Sequence, residues 1–128
     1  MSTYNADPYL EGNFAPVTEE VTATDLPITG SIPTELEGRF VRNGPNPRTI
    51  PDSEKHHWFL GEGMVHGIRL GGGKAQWYRN RYVAPTDRDD IFGPNTHVIG
   101  HAGKTLAIVE GGALPVELDD ELLSLIHI

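Results

Sequence analysis

The segment His56-His57-Trp58-Phe59-Leu60-Gly61-Glu62-Gly63-Met64-Val65-His66-Gly67 decides the fold of this chain. Its pattern predicts a strand, a Gly-Glu-Gly turn and a second strand with the period of two that a half-buried strand requires. The run Gly71-Gly72-Gly73-Lys74 follows, and a third strand is predicted over residues 75–83. Glycine supplies the positive φ that a tight hairpin needs. The stretch therefore predicts an antiparallel meander.

Strand signals continue on both sides of this meander. Residues 38–43 alternate in polarity, and Pro45 and Pro47 should stop that strand because proline cannot donate to a ladder. Residues 95–100 and 104–110 predict a hairpin around His101-Ala102-Gly103. Shorter strands are expected within residues 21–28 and 115–118. Because no segment before residue 117 shows a convincing helical period, the chain is predicted to be all-β.

The chain divides into three parts. Residues 1–20 are polar with single apolar anchors, which predicts an extended arm on the surface of the domain, and residues 21–121 carry the strand signals. The end, Leu-Ser-Leu-Ile-His-Ile, is apolar and uncapped, which is unusual for a soluble domain. The same six residues result from translating a common transposon-end sequencing adapter. We therefore expect residues 122–128 to be a tail that is not native, and the chain to be a fragment.

Composition limits the classes of function. The 128 residues carry a formal net charge of −8 with only 10 Lys and Arg, which argues against nucleic acid as the main partner. The absence of cysteine excludes disulfides, thiolate metal sites and a cysteine nucleophile. The first residues lack the basic and apolar regions of a secretory signal. No apolar run reaches the roughly 18–20 residues of a membrane-spanning helix. We expect a cytoplasmic protein and leave peripheral membrane contact open.

Four motifs occur in order along the chain. They are Gly-Arg-Phe-Val-Arg-Asn-Gly-Pro-Asn-Pro (38–47), His-Trp-Phe-Leu-Gly-Glu-Gly-Met-Val-His-Gly (57–67), Tyr-Arg-Asn-Arg-Tyr-Val (78–83) and Asn-Thr-His-Val-Ile-Gly-His-Ala-Gly-Lys-Thr-Leu-Ala-Ile-Val-Glu-Gly-Gly (95–112). Together they resemble the N-terminal part of the carotenoid cleavage oxygenases, a family that includes apocarotenoid-forming enzymes, stilbene-cleaving enzymes and the retinoid isomerohydrolase. The likeness covers most of residues 9–121.

This resemblance implies a seven-bladed β-propeller, of which the chain would form an incomplete part. It implies a non-haem iron(II) cofactor on the propeller axis, held by four histidines from separate blades, three of them oriented by glutamates. The implied reaction is cleavage of a conjugated carbon–carbon double bond with dioxygen. The implied partners are dioxygen and an apolar conjugated small molecule. Carotenoids, apocarotenoids and stilbenes all remain open as substrates, since they differ at a tunnel most of which lies outside this chain.

Two residues of this chain match functional positions of the family. Glu110 matches the glutamate that accepts a hydrogen bond from an iron-ligand histidine, an interaction that orients the imidazole and raises its basicity. The alternative is an exposed glutamate at a strand end beside Gly111-Gly112. Phe59 matches a position near the substrate tunnel, although a propeller core also needs aromatic residues.

No iron ligand carries over from the family. Its first ligand histidine lies beyond the equivalent of residue 121, directly before a proline, and this chain contains no His-Pro. The six histidines here are His56, His57, His66, His97, His101 and His127. We expect His56 and His57 on opposite faces of a strand, and His66 half-buried and hydrogen-bonded. We expect His97 and His101 to share a face only on a helix.

Other residues have simpler interpretations. Glu62 is expected in a solvated turn, and salt bridges between strands or with the arm are expected for Arg39, Arg42, Arg79 and Arg81. A rival function is a non-catalytic β-propeller or β-sandwich that serves for binding, and a truncated remnant without function is a third reading. Four blade-separated histidines in the downstream sequence would support the enzyme, and their absence would support the binding module.

Overall fold

The computed structural model describes residues 8–48, 57–83 and 93–127. Two four-stranded antiparallel sheets form in this part of the chain, which confirms the all-β prediction. The strands are β1 (Thr22–Thr24), β2 (Gly38–Pro45), β3 (Gly63–Gly71), β4 (Lys74–Tyr82), β5 (His97–His101), β6 (Lys104–Ile108), β7 (Val116–Leu118) and β8 (Ser124–His127). Helical structure in the described residues is limited to 3-10 turns at Pro8–Leu10, Gly12–Phe14 and Trp58–Leu60.

The first sheet has the strand order β1-β4-β3-β2. Strands β2, β3 and β4 form a meander, and the earlier strand β1 pairs with the outer side of β4. The β3–β4 hairpin turns at Gly72 and Gly73, whose φ angles of 58° and 73° suit a two-residue turn that glycine adopts without strain. The predicted glycine hairpin is therefore confirmed.

The second sheet runs in chain order, β5-β6-β7-β8. Its first hairpin turns at Ala102 and Gly103, as predicted from the sequence. Strand β6 ends at Ile108, two residues before the predicted end. Strand β8 pairs with β7, so most of the expected tail occupies the edge of this sheet. Whether residues 122–128 are native stays a prediction.

The predicted strand before Gly61 is wrong. Residues 58–60 form a 3-10 turn, closed by a 2.9 Å hydrogen bond from Leu60 N–H to the His57 carbonyl. The edge of β3 that such a strand would need is already taken by β2, which pairs Gly44 with Met64. In addition, Trp58, Phe59 and Leu60 are all exposed, without the alternation in burial that stabilises a strand.

Glu62 also differs from its prediction, because it continues the sheet beyond the β2–β3 ladder. Its carbonyl accepts a 2.7 Å hydrogen bond from Asn46 N–H, and its carboxylate accepts the Arg48 N–H at 3.0 Å. The backbone pairing between these two segments therefore continues past Pro45, and the Gly-Glu-Gly segment is an extended stretch that leads into β3. At Gly61 a Cβ would lie 2.9 Å from Asn46 N, so the close approach of these two segments favours glycine.

The two sheets share one hydrophobic core. Strand β2 contacts β5, and the buried cluster draws side chains from both sheets: Val65, Val83, Ala107, Val116, Leu118 and Leu122. Leu122 reaches Gly67 so closely that a Cβ there would lie 2.6 Å from the Leu122 Cδ1 atom. Glycine at position 67 therefore permits the observed distance between the sheets.

Arginines add polar contacts between the sheets, and the predicted salt bridges form for two of the four, Arg39 and Arg79. Arg39 donates to the Thr105 hydroxyl at 2.9 Å and to the Asp120 carbonyl at 3.2 Å, and Arg79 lies 3.3 Å from the Glu121 carboxylate. Arg81 instead donates to the Val21 carbonyl at 2.8 Å, in the segment after the arm. No ion pair of Arg42 occurs within residues 8–48, 57–83 and 93–127.

The arm lies along the first sheet. Glu20 accepts the Tyr82 N–H at 2.8 Å, and the Asn80 side chain accepts the Val21 N–H at 2.6 Å. Tyr9 and Phe14 pack with Trp58, with ring centroids 5.0–5.4 Å apart. The first seven residues of the predicted arm and His56 lie outside the described residues, as do residues 49–55 and 84–92.

Candidate functional site

Glu110 lies just beyond β6, opposite the start of β5. Its Oε2 atom accepts a 2.9 Å hydrogen bond from the Thr96 hydroxyl. The bond from its own backbone N–H and the bond from Thr96 hold the pKa of the Glu110 carboxyl below its ordinary value. Both alternatives drawn from the sequence are therefore compatible with this geometry: the side chain is exposed in this chain, yet it is an oriented, ionised acceptor.

The Glu110 carboxylate can accept a further donor. An ionised carboxylate offers about four lone-pair sites, and the hydrogen bond from the Thr96 hydroxyl occupies only one of them. An imidazole N–H is a suitable donor for the remaining sites, and such a bond would fix the tautomer of that imidazole. The residues at this corner therefore fit the outer ligand environment of a histidine-bound metal.

Phe59 is placed on the 3-10 turn at Trp58–Leu60, where its ring is 59% exposed. The His57 ring packs against it with centroids 5.1 Å apart. Its carbonyl accepts a 2.8 Å hydrogen bond from the Asn95 amide. The ring is therefore exposed in this chain, and its role as a tunnel residue or a core aromatic of the complete propeller stays a prediction.

Asn95 and Thr96 connect the two predicted site residues, and sequence reasoning assigned them no role. Asn95 is only 3% exposed and lies between the Phe59 turn and Thr96. The available signal was an Asn-Thr pair placed directly before a predicted strand, within the fourth quoted motif. Buried amides of this kind need partners for every polar atom, and those partners come from a distant segment that local patterns do not reveal.

The histidines do not assemble a metal site in the described part of the chain, where no group of three or more metal-ligating side chains occurs. His57 is exposed, and its Nδ1 accepts the Phe59 N–H at 3.2 Å. His66 is half-buried and lies 2.8 Å from the Tyr78 hydroxyl, as predicted. Burial, with the nearby Arg42 guanidinium as a smaller cause, holds the pKa of His66 below its ordinary value.

The prediction that His97 and His101 share a face only on a helix is wrong. Both lie in β5, and residues four apart on a strand do share a face, so a helix is not required. Their separation along the strand is roughly 13 Å at the usual rise per residue, too far for both to bind one ion. His56 lies outside the described residues, as does the side chain of His127.

A cleft of about 330 Å³ lies between the arm and the first sheet. It is lined by aromatic rings of the arm and the 3-10 turn together with Arg42, Asn46 and His66. Neither Phe59 nor Glu110 lines it. Among the described residues, no helix has the length and apolar character needed to cross a bilayer.

Comparison with known proteins shows which family the chain resembles. Residues 14–127 match the family described as retinal pigment epithelial membrane protein. A carotenoid cleavage oxygenase of Mycobacterium tuberculosis is 53% identical over 133 aligned residues, which cover 91% of this chain and 26% of the relative. The chain thus spans about a quarter of the length of this curated relative.

Solved structures agree with the fold. The lignostilbene dioxygenase of Pseudomonas brassicacearum matches 94% of this chain and 30% of its own, with a TM-score of 0.77 and 28% identity. The cobalt-substituted ACO of Synechocystis matches 88% of this chain and 30% of its own, with a TM-score of 0.72 and 22% identity. The two sheets are therefore blades of a β-propeller that this chain leaves open, and the chain belongs to the carotenoid cleavage oxygenase family.

Proposed function

We propose that this chain is the N-terminal part of a non-haem iron(II) dioxygenase that cleaves a conjugated carbon–carbon double bond of a carotenoid, apocarotenoid or stilbene. The names of its relatives support this substrate range, since they include a carotenoid cleavage oxygenase and a lignostilbene dioxygenase. The cobalt-substituted form of the Synechocystis ACO supports a metal cofactor. The chain itself supplies about a quarter of such an enzyme.

The observation that carries the proposal is the orientation of the Glu110 carboxylate. The Thr96 hydroxyl holds one of its oxygens at 2.9 Å, at the corner between β5 and β6. In the complete protein Glu110 would accept the N–H of an iron-ligand imidazole, fixing the ring and raising its basicity. Bound iron(II) would supply the open coordination position at which dioxygen reacts.

Phe59 provides the proposed contact with substrate. Its exposed ring, adjacent to the Trp58 ring with centroids 5.5 Å apart, forms an apolar surface next to the Asn95 corner. Aromatic surface of this kind excludes water and packs well against a polyene or an arene. The side chain would line the tunnel that holds the double bond.

The chain alone is proposed to be inactive and to lie in the cytoplasm. The described residues contain no metal-ligating group of three, and the acidic charge of −8 disfavours nucleic acid as a partner. Peripheral contact with a membrane would give the complete enzyme access to a lipid-dissolved substrate.

The test uses the full-length protein loaded with iron(II). Glu110→Gln keeps the shape of the side chain but weakens its acceptor strength, so iron retention or the cleavage rate should fall by roughly 10–100-fold, the scale for lost partners of a metal ligand. The control is Glu117→Gln, which removes a carboxylate of the same sheet that pairs with Lys104 at 2.8 Å. Full-length protein that neither binds iron nor cleaves any of the three substrate classes would contradict the proposal and favour a binding module.

A further inference from the structure

The Asn95 amide nitrogen uses both of its protons. It donates to the carbonyls of Phe59 and Gly61, both at 2.8 Å, and the Asn95 Oδ1 atom lies 3.1 Å from the Thr96 hydroxyl. Because the side chain is 3% exposed, water cannot easily replace these partners. Asn95 therefore joins the turn that carries Phe59 to the segment that enters β5.

The Thr96 hydroxyl stands between two acceptors. It is 3.1 Å from Asn95 Oδ1 and 2.9 Å from Glu110 Oε2, yet it has one proton to donate. The carboxylate is the nearer and the charged acceptor, and hydrogen bonds to charged groups are the stronger ones. The proton therefore goes mainly to Glu110, which fixes one of its two oxygens.

The backbone around Thr96 is held in place from both sides. Thr96 N–H donates to the Ile108 carbonyl at 3.1 Å, which aligns Thr96 with the chain two residues before Glu110. The Asn43 amide donates to the carbonyls of Pro94 at 3.0 Å and His97 at 3.3 Å. Opposite Pro94, a Cβ at Gly63 would overlap the Pro94 carbonyl oxygen. The hydroxyl that meets Glu110 thus projects from a rigid segment.

We propose that Asn95 and Thr96 are positioning residues for Glu110: Thr96 sets the orientation of the carboxylate, and Asn95 holds Thr96 against the turn that carries Phe59. This inference rests on the proposed role of Glu110. An exposed glutamate samples several rotamers, and ordering it when it meets an imidazole costs conformational entropy. The Thr96 hydrogen bond restricts the carboxylate before the imidazole binds. Less conformational entropy is then lost, and the hydrogen bond between Glu110 and the imidazole is stronger in free energy.

The first measurement is the rate at which the full-length iron-loaded protein releases iron to a chelator in the absence of substrate. Thr96→Val removes the hydroxyl at constant shape and should speed release by about 3–10-fold, less than loss of Glu110 itself. Thr96→Ser keeps the hydroxyl and should release iron at about the wild-type rate. Equal rates for Thr96→Val, Thr96→Ser and wild type would overturn the role of Thr96.

A double-mutant cycle distinguishes a role of Thr96 in positioning Glu110 from a general loss of stability around the site. If Thr96 acts through Glu110, then Thr96→Val should change iron release by less than about twofold when Glu110→Gln is already present. If the two effects multiply, Thr96 acts elsewhere and the proposal is wrong. If wild-type protein holds no iron, or Glu110→Gln releases it no faster, the proposed function fails and this inference fails with it.

Asn95 has a matched control in Asn80, which is 2% exposed and holds Val21 instead of the Phe59 turn. Asn95→Asp places carboxylate oxygen against two carbonyls, so it should speed iron release about as much as Thr96→Val and increase amide hydrogen exchange in residues 59–61. Asn80→Asp also buries a carboxylate, but this group can still accept the Val21 N–H, so iron release should stay unchanged. Equal release rates for the two Asp variants would contradict the role of Asn95. If Asn95→Asp does not fold, Asn95→Ser, which keeps a small polar group, replaces it under the same criterion.

Discussion

The side chain of Asn46 hydrogen-bonds the backbone of Val17 in both directions. Its Oδ1 atom accepts the Val17 N–H at 2.7 Å, and its Nδ2 atom donates to the Val17 carbonyl at 3.0 Å. The same nitrogen lies 2.8 Å from the Tyr82 hydroxyl, and Asn46 is 6% exposed. An amide that pairs with a peptide group in this way replaces a pair of backbone hydrogen bonds between strands, so Asn46 binds the arm to the first sheet.

Asn46→Asp should release the arm. The carboxylate cannot donate to the Val17 carbonyl, and an unsatisfied buried group costs about 1–3 kcal/mol. Limited proteolysis of the full-length protein should therefore cut within residues 8–20 faster than in wild type, by roughly tenfold for each 1.4 kcal/mol. Asn13→Asp, a change at an exposed arm residue, is the control. Equal cleavage of the two variants would show that Asn46 does not hold the arm.

Two neighbouring glycines should respond differently to alanine. At Gly63 a Cβ would overlap the Pro94 backbone, whereas at Gly44 it would meet nothing within 4 Å. Gly63→Ala should therefore cost at least about 1–3 kcal/mol through overpacking, and Gly44→Ala should be neutral or slightly stabilising. Denaturant unfolding of the full-length protein measures both. A stable Gly63→Ala variant would contradict the close approach of Pro94 to β3.

Leu122 and Leu123 test where the core ends. Leu122 is fully buried against both sheets, while Leu123 is 46% exposed. Truncating a buried leucine costs about 2–5 kcal/mol, so Leu122→Ala should strongly lower the urea midpoint of the 128-residue chain. Leu123→Ala should change stability by no more than about 0.5 kcal/mol. If the two variants are equally stable, Leu122 belongs with the expected tail and not with the core.

His66 should make stability fall in mild acid. Burial and Arg42 lower the pKa of His66 in the folded state, so the unfolded chain binds the proton more tightly. The contribution of neutral His66 to the free energy of unfolding is therefore complete above about pH 6.5, the ordinary pKa of histidine. It declines as the pH falls from there toward the lowered pKa of the folded state. His66→Gln should flatten the plot of unfolding free energy against pH in this window. His97→Gln, a change at an exposed histidine, should leave the slope unchanged, and equal slopes for wild type and His66→Gln would refute this assignment.

The 128-residue chain should bind no stoichiometric iron(II) in anaerobic equilibrium dialysis. The described residues offer no group of three ligands, and a single imidazole or carboxylate binds iron(II) weakly. Full-length protein dialysed in parallel provides the positive control. Tight one-to-one binding by the short chain would show that its histidines form a site and would contradict the assignment of Glu110 as a partner of a distant ligand.

Local patterns predicted most of the strands. The alternation in residues 63–71 and the glycines at positions 72 and 73 specify β3 and its hairpin with β4, because both signals act between neighbouring residues. The same holds for β5, β6 and the turn at Gly103. The prediction failed at residues 57–60, where aromatic residues favoured a strand but β2 already occupied the edge of β3.

The sequence by itself therefore determined the all-β character, the hairpins and, through its ordered motifs, the family. The tertiary structure decided which strands pair across long stretches of chain, as when Thr22 of β1 meets Arg79 of β4. It also placed Asn95 between Phe59 and Thr96, whose hydroxyl contacts Glu110. In this way it connected Phe59 and Glu110, the two residues that the motifs had singled out separately. The physical reason is that a buried amide and a strand edge are satisfied by whichever segment reaches them, and that segment is chosen by the packing of the whole domain and not by neighbouring residues.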